Sequence, residues 1–226
     1  MKKAFILITV LSMCLSASAQ EIFDNLPYNM RLSVQAGINI STISYQSTTY
    51  SAKTCWQLGV NAEIPLADKF AGDASLFLYP GFYYITKGAK DKLKTSGGSA
   101  FGSYSQDITT TFSLDYLQVP VRIGLRDEYS NTAWSVYLGP YFAYGLSGKS
   151  KMDGSMSWGK GSSGVTSPDT DLFKNDYFKR FDLGYTFGIR FEVLKWKAFA
   201  DFSMEESLIN DNKNMTYIKI SLGYRF

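Results

Sequence analysis

Eight separate stretches of this chain follow a two-residue repeat, apolar on one parity and polar or small on the other. A chain patterned in this way is committed to β-strands with two unlike faces. Met30 to Ile43 sets Leu32, Val34, Ala36, Ile38 and Ile40 against Arg31, Ser33, Gln35, Asn39 and Ser41. Cys55 to Pro65 sets Trp56, Leu58, Val60, Ala62 and Ile64 against Gln57, Gly59, Asn61 and Glu63. From Phe70 to Thr86 the apolar row runs through Leu76, Leu78, Phe82 and Tyr84, opposed by Asp73, Ser75, Phe77, Tyr79 and Tyr83. Leu117, Val119, Val121, Ile123 and Leu125 oppose Tyr116, Gln118, Arg122 and Arg126. Four more stretches follow: Trp134 to Ser147, Phe181 to Val193, Trp196 to Glu205, and the tail "MTYIKISLGYRF" from Met215 to Phe226. Phe112 and Leu114 are out of phase with the fourth stretch, which predicts a bulge near Asp115. Each stretch has about nine residues or more, the length a tilted strand needs to cross a ~30 Å apolar layer.

The connections alternate in length. Leu66–Lys69, Asp127–Asn131 and Leu194-Lys195 are tight, Ser44–Lys53 and Ser207–Asn214 are of medium length, and Lys87–Thr110 and Gly148–Asp176 are long and polar. Long and tight links therefore fall at opposite ends of the strands, as in an up-and-down meander. The expected fold is all-β: an eight-stranded antiparallel up-and-down transmembrane β-barrel, closed by the tail pairing with Met30–Ile43. A soluble ligand-binding barrel would turn the apolar row inward, whereas an outer-membrane barrel turns it toward lipid. The polar rows favour the membrane, because they carry ions of both signs at mid-strand: Glu63, Asp73, Arg122, Arg126, Asp182, Arg190, Glu192, Asp201, Glu205, Lys219 and Arg225. Such groups can pair in the lumen of a small barrel, and a structural network of ion pairs is expected there. Aromatics near the strand ends of the apolar row (Trp56, Trp134, Tyr144, Tyr185, Trp196 and Tyr224) fit interfacial girdles.

Residues 1–19 read as an export signal. Lys2 and Lys3 precede the apolar run Ala4–Leu15, and Ala17-Ser18-Ala19 is a small-x-small cleavage site. A lipoprotein acylated at Cys14 is the rival reading, but Met13 is a poor residue before a lipidated cysteine. The expected organisation is a signal over 1–19, a short periplasmic segment over 20–29, and the barrel over 30–226. Of 23 basic residues, Lys2 and Lys3 leave with the signal, so 21 face 20 acidic ones and nothing points to nucleic acid. Cys55 is then the only cysteine, which rules out an intrachain disulfide, and a buried or lipid-shielded thiol is expected.

The chain has no histidine, which removes the commonest general base and metal ligand together. No phosphate loop, dinucleotide fingerprint, zinc spacing or nucleophile elbow stands in a strand–turn–helix setting, and no cofactor is expected. The segment "KGAKDKLK" within Lys87–Thr110 carries four lysines and one aspartate. It is read as a solvated hairpin tip, with phosphorylated lipopolysaccharide as the partner it would attract. Tyr224 and the terminal Phe226 read as the assembly signal presented to the barrel assembly machinery.

The chain resembles the PorT-like, or outer membrane protein beta-barrel domain, family of small Gram-negative barrels. The resemblance rests on an ordered set: "VQAGINIST" (Val34 to Thr42), "LGVNAEIPLADKF" (Leu58 to Phe70), "LDYLQVPVRIGL" (Leu114 to Leu125), "YLGPYFAYGL" (Tyr137 to Leu146), "FDLGYTFGIRFEV" (Phe181 to Val193) and "YIKISLGYRF" (Tyr217 to Phe226). It implies an eight-stranded outer-membrane barrel. The family's namesake takes part in type IX secretion, a role that would transfer only by fold-level analogy. The expected function is a non-enzymatic envelope scaffold or surface-interaction protein using its outer loops, in contact with outer-membrane lipid and an envelope partner not named by the residues. The alternatives are a narrow pore or transporter and an accessory of protein secretion.

Overall fold

The structure, a computed structural model, describes residues 30–45, 48–99, 102–158, 161–174, 177–208 and 213–226. The expected signal and the 20–29 segment lie outside the described residues. The alternating stretches form strands β1 (Arg31–Tyr45), β3 (Ser51–Ala71), β4 (Ala74–Ser99), β5 (Gly102–Tyr129), β6 (Thr132–Trp158), β8 (Phe181–Val193), β9 (Ala198–Ser207) and β10 (Lys213–Arg225). Two shorter strands, β2 (Thr48–Thr49) and β7 (Gly161–Asp171), extend β1 and β6. Neighbours pair antiparallel in the order β10-β9-β8-β6-β5-β4-β3-β1. β1 also pairs with β10, from Ser33–Arg225 to Tyr45–Lys213, so the sheet closes into a ring of eight strands. Closure leaves no open edge in the apolar layer, where lipid offers a peptide group no partner.

The two faces are inverted relative to a soluble protein. Apolar Leu58, Leu138 and Phe187 are 54%, 60% and 51% exposed, while polar Gln57, Asn61 and Arg122 are 1–2% exposed. Such a pattern is stable only where the outside solvent is hydrocarbon. The outer row is bounded on one side by Trp56, Tyr84, Tyr144 and Tyr185, with Trp56 and Tyr84 stacked at 5.1 Å, and on the other by Trp134, Trp196, Tyr224 and Phe226. On β6 the band runs from Trp134 to Tyr144; at ~3.3 Å per residue and a tilt near 40° this is about 25 Å, the height of an outer-membrane apolar belt.

One end of the barrel is closed by short turns, in which Gly72, Ser130 and Lys197 take positive φ (67°, 56° and 51°), as tight hairpins require. Leu194–Trp196 is a single 3₁₀ turn there, and Asn131 accepts from the Leu194 and Lys195 amides. At the other end the strands do not stop. The expected long loops are largely strand: β4 and β5 stay paired from Lys87–Leu114 out to Ser99–Gly102, β6 follows β5 to Tyr104–Trp158, and β7 adds a fourth strand along β6. β3 last pairs with β4 at Ser51–Lys90, so above that level a four-stranded sheet stands alone for on the order of ten residues, or ~30 Å.

The expected bulge near Asp115 lies across the ladder from it. Asp115 pairs with Ser147 and Tyr116 with Gly145, so the extra residue is Leu146 on β6, and β5 keeps its parity. Phe112 and Leu114 therefore share the inner row with Tyr116; Leu114 is fully buried. What looked like a phase change is the inner wall becoming apolar as it leaves the membrane.

Candidate functional site: a filled lumen beneath a protruding sheet

The inward rows of all eight strands meet in the lumen, and their charges sort into three levels. Nearest the tight turns, Arg126 contacts Glu63 (3.3 Å), Glu128 (2.9 Å) and Glu192 (2.8 Å). Arg31 bridges Glu63 (3.3 Å) and Glu128 (3.0 Å), and Arg225 reaches Glu192 at 2.8 Å. The Arg126–Glu192 and Arg225–Glu192 pairs are held by charge more than by aligned hydrogen bonds.

At mid-height Arg190 pairs with Asp201 (3.1 Å) and donates to Gln35 (3.1 Å). Tyr137 donates to the other Asp201 oxygen at 2.7 Å. Arg122 is held by neutral groups: Asn61 Oδ1 at 2.5 Å, the Tyr79 carbonyl at 3.3 Å, and the Tyr137 ring with its centroid 4.8 Å away. Tyr83 also donates to Asn61.

The third level pairs Lys219 with Glu205, which also accepts from Gln118 at 2.7 Å. In the same level Lys87 meets Asp182 at 3.0 Å inside a cage of three rings, Tyr116, Tyr141 and Tyr217, with centroids 4.8, 4.8 and 4.4 Å from its ammonium. Ser207 and Tyr141 donate to the same aspartate. At eight strands the lumen is just wide enough for side chains to fill it, and each buried ion here has its counter-charge or, for Arg122, neutral acceptors and a ring face.

The mouth toward the protruding sheet is capped. After β7 the chain dips inward, and Leu172, Phe173 and Phe178 pack on Ile85, Leu114 and Tyr116; Phe173 meets Tyr116 edge-on at 5.8 Å. Gly145 and Gly148 leave the room, because a Cβ on either would run into the Phe173 ring. The strap is tied at both ends: Leu172 donates to the Gly148 carbonyl (3.0 Å), Arg180 Nη1 to the Gly145 carbonyl (3.1 Å), and the Arg180 guanidinium lies over Phe173. Backbone hydrogen bonds from Lys174 and Phe173 (3.2 and 3.0 Å) hold the Asp171 carboxyl below its usual range.

Ten of the eleven ions expected inside lie on the inner wall in these three levels. Asp73 does not: it is exposed in the β3–β4 turn. The alternation continues through it in sequence, but the chain has already left the wall at Gly72. Lys87, placed by the sequence reading at the base of a solvated loop, is fully buried. It lies two residues beyond inward-facing Ile85, and that continued parity was the signal for it. Lys94 is matched by Asp107 at 2.7 Å. Cys55 is a free thiol buried in the inner row. Tyr224 and Phe226 are on the lipid-facing row at the tight-turn end, their rings edge-on at 5.7 Å, and the Phe226 amide donates to the Leu32 carbonyl. Among the described residues no group of His, Cys, Asp and Glu is arranged to hold a metal ion.

These features define a small membrane barrel with a packed interior. The chain belongs to the outer membrane protein beta-barrel domain family, which it matches over residues 19–210. Among solved structures it is similar to Ail, the attachment invasion locus protein of Yersinia pestis, at 18% identity and a TM-score of 0.43 over 88% of this chain and 100% of that one. It is also similar to Neisserial surface protein A, at 13% identity and a TM-score of 0.35 over 86% of this chain and 97% of that one. No curated protein sequence matches it.

Proposed function

We propose that this protein is a non-enzymatic surface-interaction barrel, with its tight turns in the periplasm and its four-stranded sheet outside the cell. One observation carries the reading: β4, β5 and β6 run on as a sheet well beyond the closed ring, while the lumen beneath is filled and capped. A barrel built for passage needs an open path, and here Arg122, Arg190, Tyr137 and the Phe173 strap occupy it. A sheet with two free edges and an exposed aromatic tip is instead suited to recognition. The other partners of this reading are outer-membrane lipid, lipopolysaccharide against Lys90 and Lys92 on the outward row of β4, and the barrel assembly machinery, which would read Tyr224 and Phe226. A role in protein secretion, the PorT-like reading, rests on analogy alone and would require loss of secreted cargo in a deletion strain.

The test trims both hairpins, joining β4 to β5 beyond Lys90–Thr111 and β6 to β7 beyond Ser150–Thr170 with short turns. The trimmed barrel is expected to keep its heat-modifiable gel shift while cells carrying it lose self-aggregation and attachment to protein- and polysaccharide-coated surfaces. Unchanged attachment would overturn the proposal. So would discrete conductance steps from the intact protein in planar bilayers.

A further inference from the structure

The tip of the protruding sheet is laid out in cross-strand rows. On the face continuous with the barrel's inner wall, the outermost of these rows is Gly97, Tyr104, Trp158 and Gly161, one residue from each strand. The two rings are central, nearly parallel at 22° with centroids 6.0 Å apart, and both outer strands present glycine. A Cβ on Gly97 would stand 2.5 Å from Tyr104 Cε1, so the Tyr104 ring lies over that glycine. Trp158 is 71% exposed and Tyr104 40% exposed, so among the described residues no side chain covers these two large rings. The next row inward is Thr95, Gln106, Met156 and Ser163, which sets hydroxyls and an amide beside the rings. Neither row carries a charged side chain. A cleft of about 540 Å³ runs along this corner, bounded by Tyr104, Gln106, Met156, Trp158 and Ser163, within the size of ordinary small-ligand sites.

Two flat apolar rings bordered by uncharged donors and acceptors match one ligand chemistry well. A pyranose ring has an apolar C–H face that stacks on an aromatic ring and an equatorial rim of hydroxyls that hydrogen-bonds to amides and hydroxyls. Sulfated or acidic sugars need cations, and among the described residues neither of these rows holds one: Lys92, Lys94 and Lys151 stand on the opposite face, the last two paired with Asp107 and Asp153. We propose that Tyr104 and Trp158 form a stacking platform for a neutral oligosaccharide, with Gln106 fixing its orientation. This rests on the reading of the sheet as the interaction module and names its ligand class.

The experiment is calorimetric titration of the full-length protein in nanodiscs with maltohexaose, cellohexaose and chitin hexasaccharide, and with a heparin hexasaccharide as the charged counterpart. At least one neutral hexasaccharide is expected to bind. Trp158→Ala and Tyr104→Ala should weaken it tenfold or more, Trp158→Phe should weaken it less, and Lys160→Gln should leave it unchanged. Heat-modifiable migration of each variant checks that the barrel is folded. Binding of the heparin fragment alone, lost in Lys160→Gln and kept in Trp158→Ala, would overturn the proposal, as would no binding of any of the three neutral sugars. A dimer that dissociates on Trp158→Ala would overturn it in favour of a second copy on the platform. The underlying reading is judged separately: if surface attachment survives Trp158→Ala and Tyr104→Ala but is lost on trimming both hairpins, the sugar platform fails and the interaction module stands.

Discussion

β4 and β5 pass through two environments without changing parity, β6 does so with one slip at Leu146, and the row that lines the lumen below becomes the exposed inner face above. Below the mouth it carries Tyr79, Tyr83, Lys87, Gln118, Arg122, Arg126, Tyr137 and Tyr141, all buried. Above it the same row carries Leu93, Ile108, Met152, Met156, Tyr104 and Trp158, several of them half-exposed. The reversal follows from what each segment faces on its other side. In the membrane the outward row must be apolar, which leaves the inner row free to be polar, provided every ion finds a partner. Outside the membrane both faces meet water, and the sheet has no layer packed behind it. Its stability comes from the ladder and cross-strand contacts alone, and its apolar side chains remain available to a partner.

The most severe way to break this comparison is to orphan a lumen charge. Arg190→Leu leaves Asp201 buried against Tyr137 alone and strips a donor from Gln35, so a loss of about 3–5 kcal/mol is expected. Urea unfolding in lipid vesicles reads it, and the Arg190→Leu/Asp201→Leu pair should recover much of the loss. An equivalent charge removal on the sheet, Lys94→Leu beside exposed Asp107, should leave the urea midpoint unchanged.

Phe173→Ala probes the boundary between the two regions. Emptying the cap should loosen the strap without opening the β-ladder, so tryptic cleavage near Lys174 and Arg180 should quicken about tenfold while the thermal midpoint of the barrel barely moves. Loss of barrel stability on the scale of Arg190→Leu would mean that the cap is part of the barrel core.

Removing Phe226 acts on assembly more than on the finished fold. Membrane yield should fall several-fold, while the barrel that does form unfolds within about 1 kcal/mol of the parent, because Phe226 is half-exposed to lipid and lies beyond the last β1–β10 pair. Normal yield of the shortened chain would remove the assembly reading.

The smallest effect is a pH dependence confined to the strap. The Asp171 carboxylate is stabilised in the folded chain, so its contribution is fully present above the ordinary aspartate value of about 3.9 and is lost as pH falls through the lower folded value. Amide exchange at Phe173 and Lys174 should therefore speed up, relative to neighbouring β7 amides, below that value, and Asp171→Asn should flatten the difference.

The barrel was legible because its physics is local: a two-residue repeat sustained over a membrane's thickness marked the strand set, and ions of both signs in the polar rows marked the face turned away from lipid. The lumen was legible residue by residue where the wall is regular, as at Arg122, Asp182 and Lys219. It failed at Asp73, where the repeat outlasts the strand, and at Lys87, where a run of lysines looks like solvated loop although the first of them stays on the inner wall. The protruding sheet was illegible. Segments such as "TSGGS" and "SGVTSPDTD" have weak strand propensity, and it is register inherited from the barrel that keeps them paired. The cap left only a faint trace, Leu172, Phe173 and Phe178 within a polar stretch, because what makes it fit is the absence of side chains at Gly145 and Gly148 on another strand.

β6 exchanges its neighbour partway along: β8 accompanies it to Tyr144–Phe181, and β7 takes over from Lys149–Asp171. The barrel wall at β6 is thus complete before the outer sheet begins, and the two parts are joined through the strands they share. Lineages can then lengthen, shorten or rewrite the outer hairpins as a cassette, with one rule of grammar. Changes that add or remove two residues per strand keep the same side chains on the same face, whereas odd changes turn the recognition surface to its back.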